Sequence, residues 1–214
     1  HGKAVRTVEG IAGPKGELHP VQAEMITHPG AQCGFCTPGF IVSMAVTLQP
    51  AISNDSLILK MWDLDEAVGD SGGEDDTYDW DYELPRLVSW REFLIAEVDG
   101  HPIGATVLIS TLDEESHYWG EDSPENSWAI DIWIGSADYR SRGFGTEMMK
   151  QALARCFDIH GASLVLIDPL QSNSRAIAFY RRLGFQDVGP KRFGEDDCLV
   201  MSSKRAEVET LESE

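Results

Sequence analysis

The sequence predicts an α/β (α+β) fold: a mixed sheet flanked by helices. The run REFLIAEVDGHPIGATVLIS (91–110) is two apolar strands split at Asp99-Gly100, a preferred two-residue hairpin turn. After it, strand-like runs alternate with stretches of helical period. With 42% hydrophobic residues in a chain of 214, there is enough apolar material for a true core.

In chain order, KAVRTVEG (3–10) alternates as a strand. LHPVQAEMITH (18–28) and TPGFIVSMAVTL (37–48) read as short helices on either side of Cys33 and Cys36. QPAISNDS (49–56) has the Pro, Asn, Asp and Ser of a linker. Residues 1–56 carry three basic and four acidic side chains, while the rest carries 14 basic and 32 acidic. This charge step divides the chain into a helical N-terminal segment (1–56), a main domain (57–205) and an acidic tail (206–214) that is expected to stay disordered. SLILKMWDLDEAV (56–68) reads as a helix, WAIDIWIG (128–135) as a strand, and GFGTEMMKQALARCF (143–157) as a helix opened by a glycine turn. SLVLIDP (163–169) is a strand, and SNSRAIAFYRRLGF (172–185) is a helix with Ser172 to cap it and Gly184 to end it. CLVMSS (198–203) is the last strand.

A net charge of −19 argues against nucleic acid and anionic membrane as partners. It suits either simple solubility or an acidic cleft for a cationic ligand. Four cysteines are too few for a disulfide scaffold, which points to a reducing, cytoplasmic setting. No run reaches the roughly 18 apolar residues of a membrane span, and no signal peptide opens the chain.

Two segments carry chemistry. The first is GAQCGFCTPGF (30–40), whose paired cysteines suit a metal cluster or thiol chemistry. Residues 3–48 resemble part of the iron–sulfur subunit of the xanthine dehydrogenase family. There this motif gives two ligands of a [2Fe–2S] cluster, and a later Cys-x-Cys gives two more. Here no Cys-x-Cys follows and the upstream four-cysteine loop is absent, so the expectation is ancestry without an iron–sulfur cluster. Cys156 and Cys198 read as small buried side chains. No metal site is expected.

The second is IDIWIGSADYRSRGFGTEMMKQAL (130–153), a strand, a turn with Gly143 and Gly145, then a helix. Unpaired amides and the dipole of a helix start favour a phosphate. Arg140 and Arg142 add positive charge, and Thr146 adds a hydroxyl donor. Helix-opening glycines also occur merely to turn a chain. The motif resembles the Q/R-x-x-G-x-G/A signature of the GNAT N-acetyltransferases, and IDPLQSNSRAIAFYRRLGF (167–185) resembles that family's distal motif. Within the family, AIDIWIG and LIDPLQSN look most like aminoglycoside 6'-N-acetyltransferases.

The resemblance covers residues 57–203 and implies a central mixed, mostly antiparallel sheet. It also implies acetyl-CoA as cosubstrate, with its diphosphate on the turn through Arg140, Arg142, Gly143, Phe144, Gly145 and Thr146. The acyl arm would run along the strand at Trp133 and Ile134, with Asn173 bonded to the pantetheine. Asp131, a carboxylate among apolar neighbours, would take the proton of the acceptor amine, or be a structural carboxylate bonded to backbone. Tyr180 would protonate the leaving thiolate, or simply pack.

Residues 63–83 hold ten acids and no Lys or Arg, and 113–125 hold six acids; both carry aromatics. Such runs are commonly solvated loops, but they suit a polycationic sugar. Asp168, Glu114, Glu115 and Trp119 join Asp131 as expected substrate-binding residues, and Asp196 and Asp197, before the last strand, complete the expected pocket. The expected reaction is acetyl transfer to an aminoglycoside amine, the 6'-amino by resemblance. The alternatives are a polyamine or protein amine as acceptor, or a non-catalytic acetyl-CoA-binding module. A homodimer stays open.

Overall fold

A computed structural model of the chain describes residues 46–69 and 78–205. The predicted strand 3–10, helix 18–28, Cys33, Cys36 and the tail 206–214 lie outside the described residues.

Seven strands form one sheet in the order β1-β2-β3-β4-β5-β7-β6. They are β1 (Val46–Pro50), β2 (Arg91–Val98), β3 (His101–Ser110), β4 (Ser127–Trp133), β5 (Leu164–Ile167), β6 (Gln186–Phe193) and β7 (Asp196–Ser203). Neighbours are antiparallel except β4 and β5, which run parallel. The helices are α1 (Ser56–Asp63), α2 (Glu66–Gly69), α3 (Trp80–Glu83), α4 (Phe144–Asp158) and α5 (Ser174–Arg182). This is the mixed, mostly antiparallel sheet flanked by helices that the sequence predicts.

The β2–β3 hairpin turns at Asp99 and Gly100, both with positive φ (56° and 72°), as a primed turn requires. Three sequence readings are corrected, and one strand, β6, has no sequence reading. The apolar run 37–48 was read as helical, but its end enters β1, where Val46 pairs with Val98 at the sheet edge. An apolar run this short carries no period of its own, so the tertiary pairing decides. The helix read at 56–68 breaks at Leu64 and Asp65 into α1 and α2. Asn173, not Ser172, caps α5, its Oδ1 accepting from the Ala176 amide at 3.0 Å. Strand β6 carries no apolar alternation, because it is an edge strand with one buried residue, Phe193, and with Gly189 and Pro190 inside it.

The sheet has a core on each face. On one, α4 lays Met149, Leu153 and Cys156 against Trp128 and Ile130 of β4. Each such fully buried apolar side chain contributes ~1.5–3 kcal/mol. On the other, Ala129 packs with Leu166 and Phe193, and Trp133 packs with Leu59, Trp62 and Trp80. Strand alternation therefore puts Asp131, between Ala129 and Trp133, on the face opposite α4.

Candidate active site

The parallel pairing of β4 with β5 covers only Ser127, Trp128 and Ala129. From Ile130 to Trp133, β4 remains paired with β3 alone. The sheet thus splits between two parallel strands, and main-chain groups of β4 face the gap. A ligand with amide groups can pair there as a strand would.

The end of β4 abuts the turn before α4, where Gly145 faces Ile134. Gly143 caps that helix at φ 90°, and its carbonyl accepts from the Thr146 amide at 3.0 Å. A side chain would be strained there, although nothing lies within 4 Å of an added Cβ. Gly145 faces Ile134 and Phe179, with a Cβ position 3.7 and 3.8 Å away, an ordinary contact. Its tolerance for a methyl group agrees with the G/A of the motif. Phe144 sends its ring into the core and offers only main chain to the turn, while Thr146 is half-buried in the first helical turn. Arg142 is exposed at the turn.

Arg140 has another task. Its Nε donates to the Ile134 carbonyl at 2.9 Å, one Nη donates to the Gly135 carbonyl at 2.8 Å, and it pairs with Asp65 at 2.9 Å. The guanidinium thus ties the end of β4 to the turn before α4. Arg175, which sequence reading missed, brings its guanidinium to the same turn by donating to Ser141 Oγ at 2.6 Å. Asn173 Oδ1 is engaged as the α5 cap, which leaves its amide nitrogen as the group for a ligand.

At the gap lies a cavity of about 400 Å³ whose lining draws on both sheet faces: Asp131 and Trp133 from the face opposite α4, Ile130, Ile167 and Tyr180 from the α4 side. Asp131, Trp133, Asp168 and Tyr180 all line it. Tyr180 is aimed there by the end of α5. Gly184 (φ 87°) donates to the Arg181 carbonyl, Phe185 donates to that of Tyr180, and the Phe185 ring lies 5.7 Å from the tyrosine ring. That is a Schellman ending with its apolar contact. Tyr78 Oη donates to Asp131 Oδ2 at 3.4 Å, and Tyr118 Oη donates to Asp168 Oδ2 at 2.7 Å. Each aspartate thus meets a tyrosine from a different acidic loop. Tyr118 is itself stacked on Phe193 at 4.4 Å.

The other acidic candidates divide. Glu114 is buried and spends its carboxylate on its own loop, accepting from the Ser116 amide and hydroxyl and from the Tyr118 amide. It shapes the wall instead of waiting for substrate. Glu115 is held by Arg86 through contacts of 2.7 and 2.9 Å. Trp119 lies edge-on to Phe193 in the wall. Asp197 points away, 67% exposed and 3.7 Å from Arg192, while its neighbour Asp196 lines the cavity. Of the two aspartates named from the sequence, the strand turns Asp196 to the cavity and Asp197 outward, because on a strand one residue changes the face.

Sequence reading placed Asp63 and Glu83 in an acidic run without singling them out, and it missed Arg86 and Arg91. Burial raises the Asp63 carboxyl above its usual range, even though Trp80 Nε1 donates to it at 2.6 Å. For Glu83, burial pushes upward, but the bonds from Arg91 and Arg86 outweigh it and the carboxyl falls below the usual range. Asp131, Asp168 and Asp196 with Asp63, Glu83, Glu114 and Glu115 give the lining seven carboxylates. Its two guanidinium groups, Arg86 and Arg91, are both engaged by Glu83.

The domain model described as Acetyltransferase (GNAT) domain matches residues 51–193. The model of the [2Fe-2S] binding domain matches residues 7–60. Xanthine dehydrogenase of Drosophila pseudoobscura pseudoobscura is 53% identical over 51 residues, which is 24% of this chain and 4% of that protein. Aldehyde oxidase 2 of Mus musculus is 47% identical over 125 residues, 58% of this chain and 8% of that protein. The chain thus spans only a small part of these relatives.

Among solved structures, aminoglycoside acetyltransferase AAC(6')-Ib in complex with coenzyme A and kanamycin aligns with TM-score 0.70 and 23% identity, over 78% of this chain and 99% of that one. Spermidine N-acetyltransferase from Vibrio cholerae with CoA and spermine aligns with TM-score 0.64 and 16% identity, over 77% and 98%. At these identities the likeness is one of fold.

The [2Fe-2S] match corrects the expectation that no iron–sulfur cluster is present. Residues 7–60, which include Cys33 and Cys36, point to a cluster. The expectation rested on a missing Cys-x-Cys, whereas ligands are defined by where they converge and not by spacing alone. Among the described residues, no three His, Cys, Asp or Glu side chains converge on a metal position. Cys156 and Cys198 are buried in separate core clusters, and burial pushes the Cys156 thiol strongly upward, away from the thiolate a cluster takes. Also among the described residues, no helix is long and apolar enough to cross a membrane. With the acetyltransferase match spanning most of the chain and the split sheet beneath it, the chain belongs to the GNAT acetyltransferase family.

Proposed function

We propose that the protein transfers the acetyl group of acetyl-CoA to an amine of a polycationic aminoglycoside, the 6'-amino by resemblance, and so confers resistance. One observation carries the choice of acceptor. The cavity beside the β4–β5 gap sets seven carboxylates against two guanidinium groups that already have partners. Such a wall draws in cations, and Trp119, Tyr118 and Trp133 offer faces for sugar rings and ammonium groups.

In this reading the turn at Gly143 receives the diphosphate, and the unpaired side of β4 holds the pantetheine arm in line. A β4 amide donates to the thioester oxygen, where charge develops. Asp131 takes the proton of the attacking amine, directly or through water. The amine nitrogen bonds to the acetyl carbon, the carbon–sulfur bond breaks, and Tyr180 gives the departing sulfur its proton. Asp168 and Asp196 hold further ammonium groups of the acceptor.

Solved relatives of the same fold include a spermidine acetyltransferase, so the same wall also suits a linear polyamine. A thiol-release assay with acetyl-CoA and a panel of kanamycin, ribostamycin and spermidine separates the two. Turnover with the aminoglycosides at kcat/KM at least ten times that with spermidine is expected. Turnover with spermidine alone would replace the acceptor, and acetyl-CoA binding without any turnover would replace the enzyme by a binding module.

A further inference from the structure

The cavity wall contains a cation supplied by the chain itself. Arg86 follows α3, and its guanidinium lies between the two acidic segments of the lining. One Nη donates to the Glu83 carboxylate, at 3.3 and 3.0 Å from its two oxygens. The other Nη donates to the Glu115 carboxylate, at 2.7 and 2.9 Å. The Tyr82 ring centre lies 5.3 Å from the guanidinium carbon. Two carboxylates from separate segments and an aromatic face are the parts of a site for an organic cation. Here the chain fills that site with its own side chain.

The second guanidinium of the lining is of another kind. Arg91 is only 5% exposed, pairs with Glu83, and lies against Trp90 and Phe93. It is part of the wall. Arg86 is 24% exposed and its partner Glu115 is 61% exposed, so solutes reach that pair. If Arg86 leaves, Glu83 keeps Arg91 as its cation, and Glu115 is the carboxylate set free. We infer that Arg86 is a specificity-determining residue: it occupies an ammonium subsite made by Glu115, Glu83 and Tyr82, and competes there with a cationic group of the acceptor. The inference rests on the cationic acceptor of the proposed function and adds which part of the cavity is withheld from it. An acceptor that extends an ammonium group to Glu115 must displace Arg86, and so gains little from that contact. Acceptors are therefore sorted by the cations they place near Asp131, Asp168 and Asp196, not by their total charge.

Full-length chains carrying Arg86→Gln, Arg86→Lys, Glu115→Gln, or Arg86→Gln together with Glu115→Gln test it. Binding of kanamycin and of spermidine is measured by titration calorimetry with coenzyme A present, so that no acetyl transfer intervenes. Coenzyme A affinity equal to the parent's verifies that each variant is folded. Exposed charge contacts are worth up to about fivefold in affinity. Arg86→Gln, which frees Glu115, should tighten binding by about threefold, and Glu115→Gln, which leaves Arg86 facing the cavity, should weaken it by about threefold. Arg86→Lys and the double variant both keep the parent's charge balance and should stay within about 1.5-fold of it. If Arg86 only braced the two segments, both single variants and the double would weaken binding, and that result would overturn the inference. Unchanged affinity in both single variants would do so too. So would shifts that persist in about 0.5 M salt, where exposed charge contacts are screened. A parent that binds neither ligand would instead remove the cationic acceptor of the proposed function, and the subsite with it.

Discussion

The cofactor side and the acceptor side of this site are built in opposite ways. The cofactor side is made of regular structure: a strand that loses its neighbour after Ala129, a turn bent by Gly143, and the start of α4. In the proposed function its binding groups are main-chain groups, so side-chain identity would matter little except where a glycine is needed. The acceptor side is made of loops, and its carboxylates serve two purposes. Glu114 and Glu83 hold the loops together, while Asp131 and Asp168 line the cavity with tyrosine partners. An acidic sequence is therefore not a count of substrate contacts, because part of it is internal bracing.

The largest test of this contrast is Asp131→Asn. In the proposed mechanism the amide cannot accept the proton, so kcat with kanamycin should fall by ~10²–10⁴-fold. Affinity for acetyl-CoA, measured by titration calorimetry, should stay within about twofold, because the diphosphate turn is untouched. Equal losses of both would mean that the two sides are not separable.

Glu114→Ala comes next. It removes three hydrogen bonds to one carboxylate and frees the loop that carries Tyr118. A stability loss of ~2–3 kcal/mol is expected, as for buried bonds to a charged group, and is read from urea unfolding. Because Tyr118 holds Asp168, KM for the acceptor should rise while KM for acetyl-CoA does not. An unchanged acceptor KM would return Glu114 to a purely structural part.

Gly143→Ala reverses the pattern. A methyl group meets nothing within 4 Å but is strained at φ 90°, at a cost of ~1–2 kcal/mol. The loss should appear as weaker acetyl-CoA binding, up to about tenfold, with the acceptor KM unchanged. Gly145→Ala, where only ordinary contacts await, should bind acetyl-CoA almost as well as the parent.

The same contrast explains what the sequence made legible. The hairpin, β4, α4 and the glycine turn could be read because each depends on local signals: a turn dipeptide, alternation and helical period. β1 and β6 could not, because edge strands take their conformation from a partner far along the chain. In the site, Asp131 stood out as a carboxylate inside an apolar strand. Arg91 did not, since nothing local tells that its guanidinium is buried against Glu83 between Trp90 and Phe93. Asp196 and Asp197 could not be told apart because the chain alone does not fix the phase of a strand whose partner, β6, has no pattern of its own.

The smallest expected effect lies away from both sides and calibrates them. Glu92 on β2 accepts from Arg155 and from His160, which stacks on Trp128 at 4.0 Å. Burial pushes the Glu92 carboxyl up, but these bonds outweigh it and hold it below the ordinary 4.5. A depressed carboxyl stabilises the fold fully above its unfolded value and loses that contribution as pH falls through the folded value. Thermal unfolding of the parent should thus show a stability loss setting in below about pH 4.5 that Glu92→Gln has already suffered at pH 7, ~1–2 kcal/mol in size. Neither KM should move at pH 7, since Glu92 does not line the cavity. If acceptor KM rose with this variant as it does with Glu114→Ala, global softening would explain both, and the division between bracing and binding carboxylates would fail.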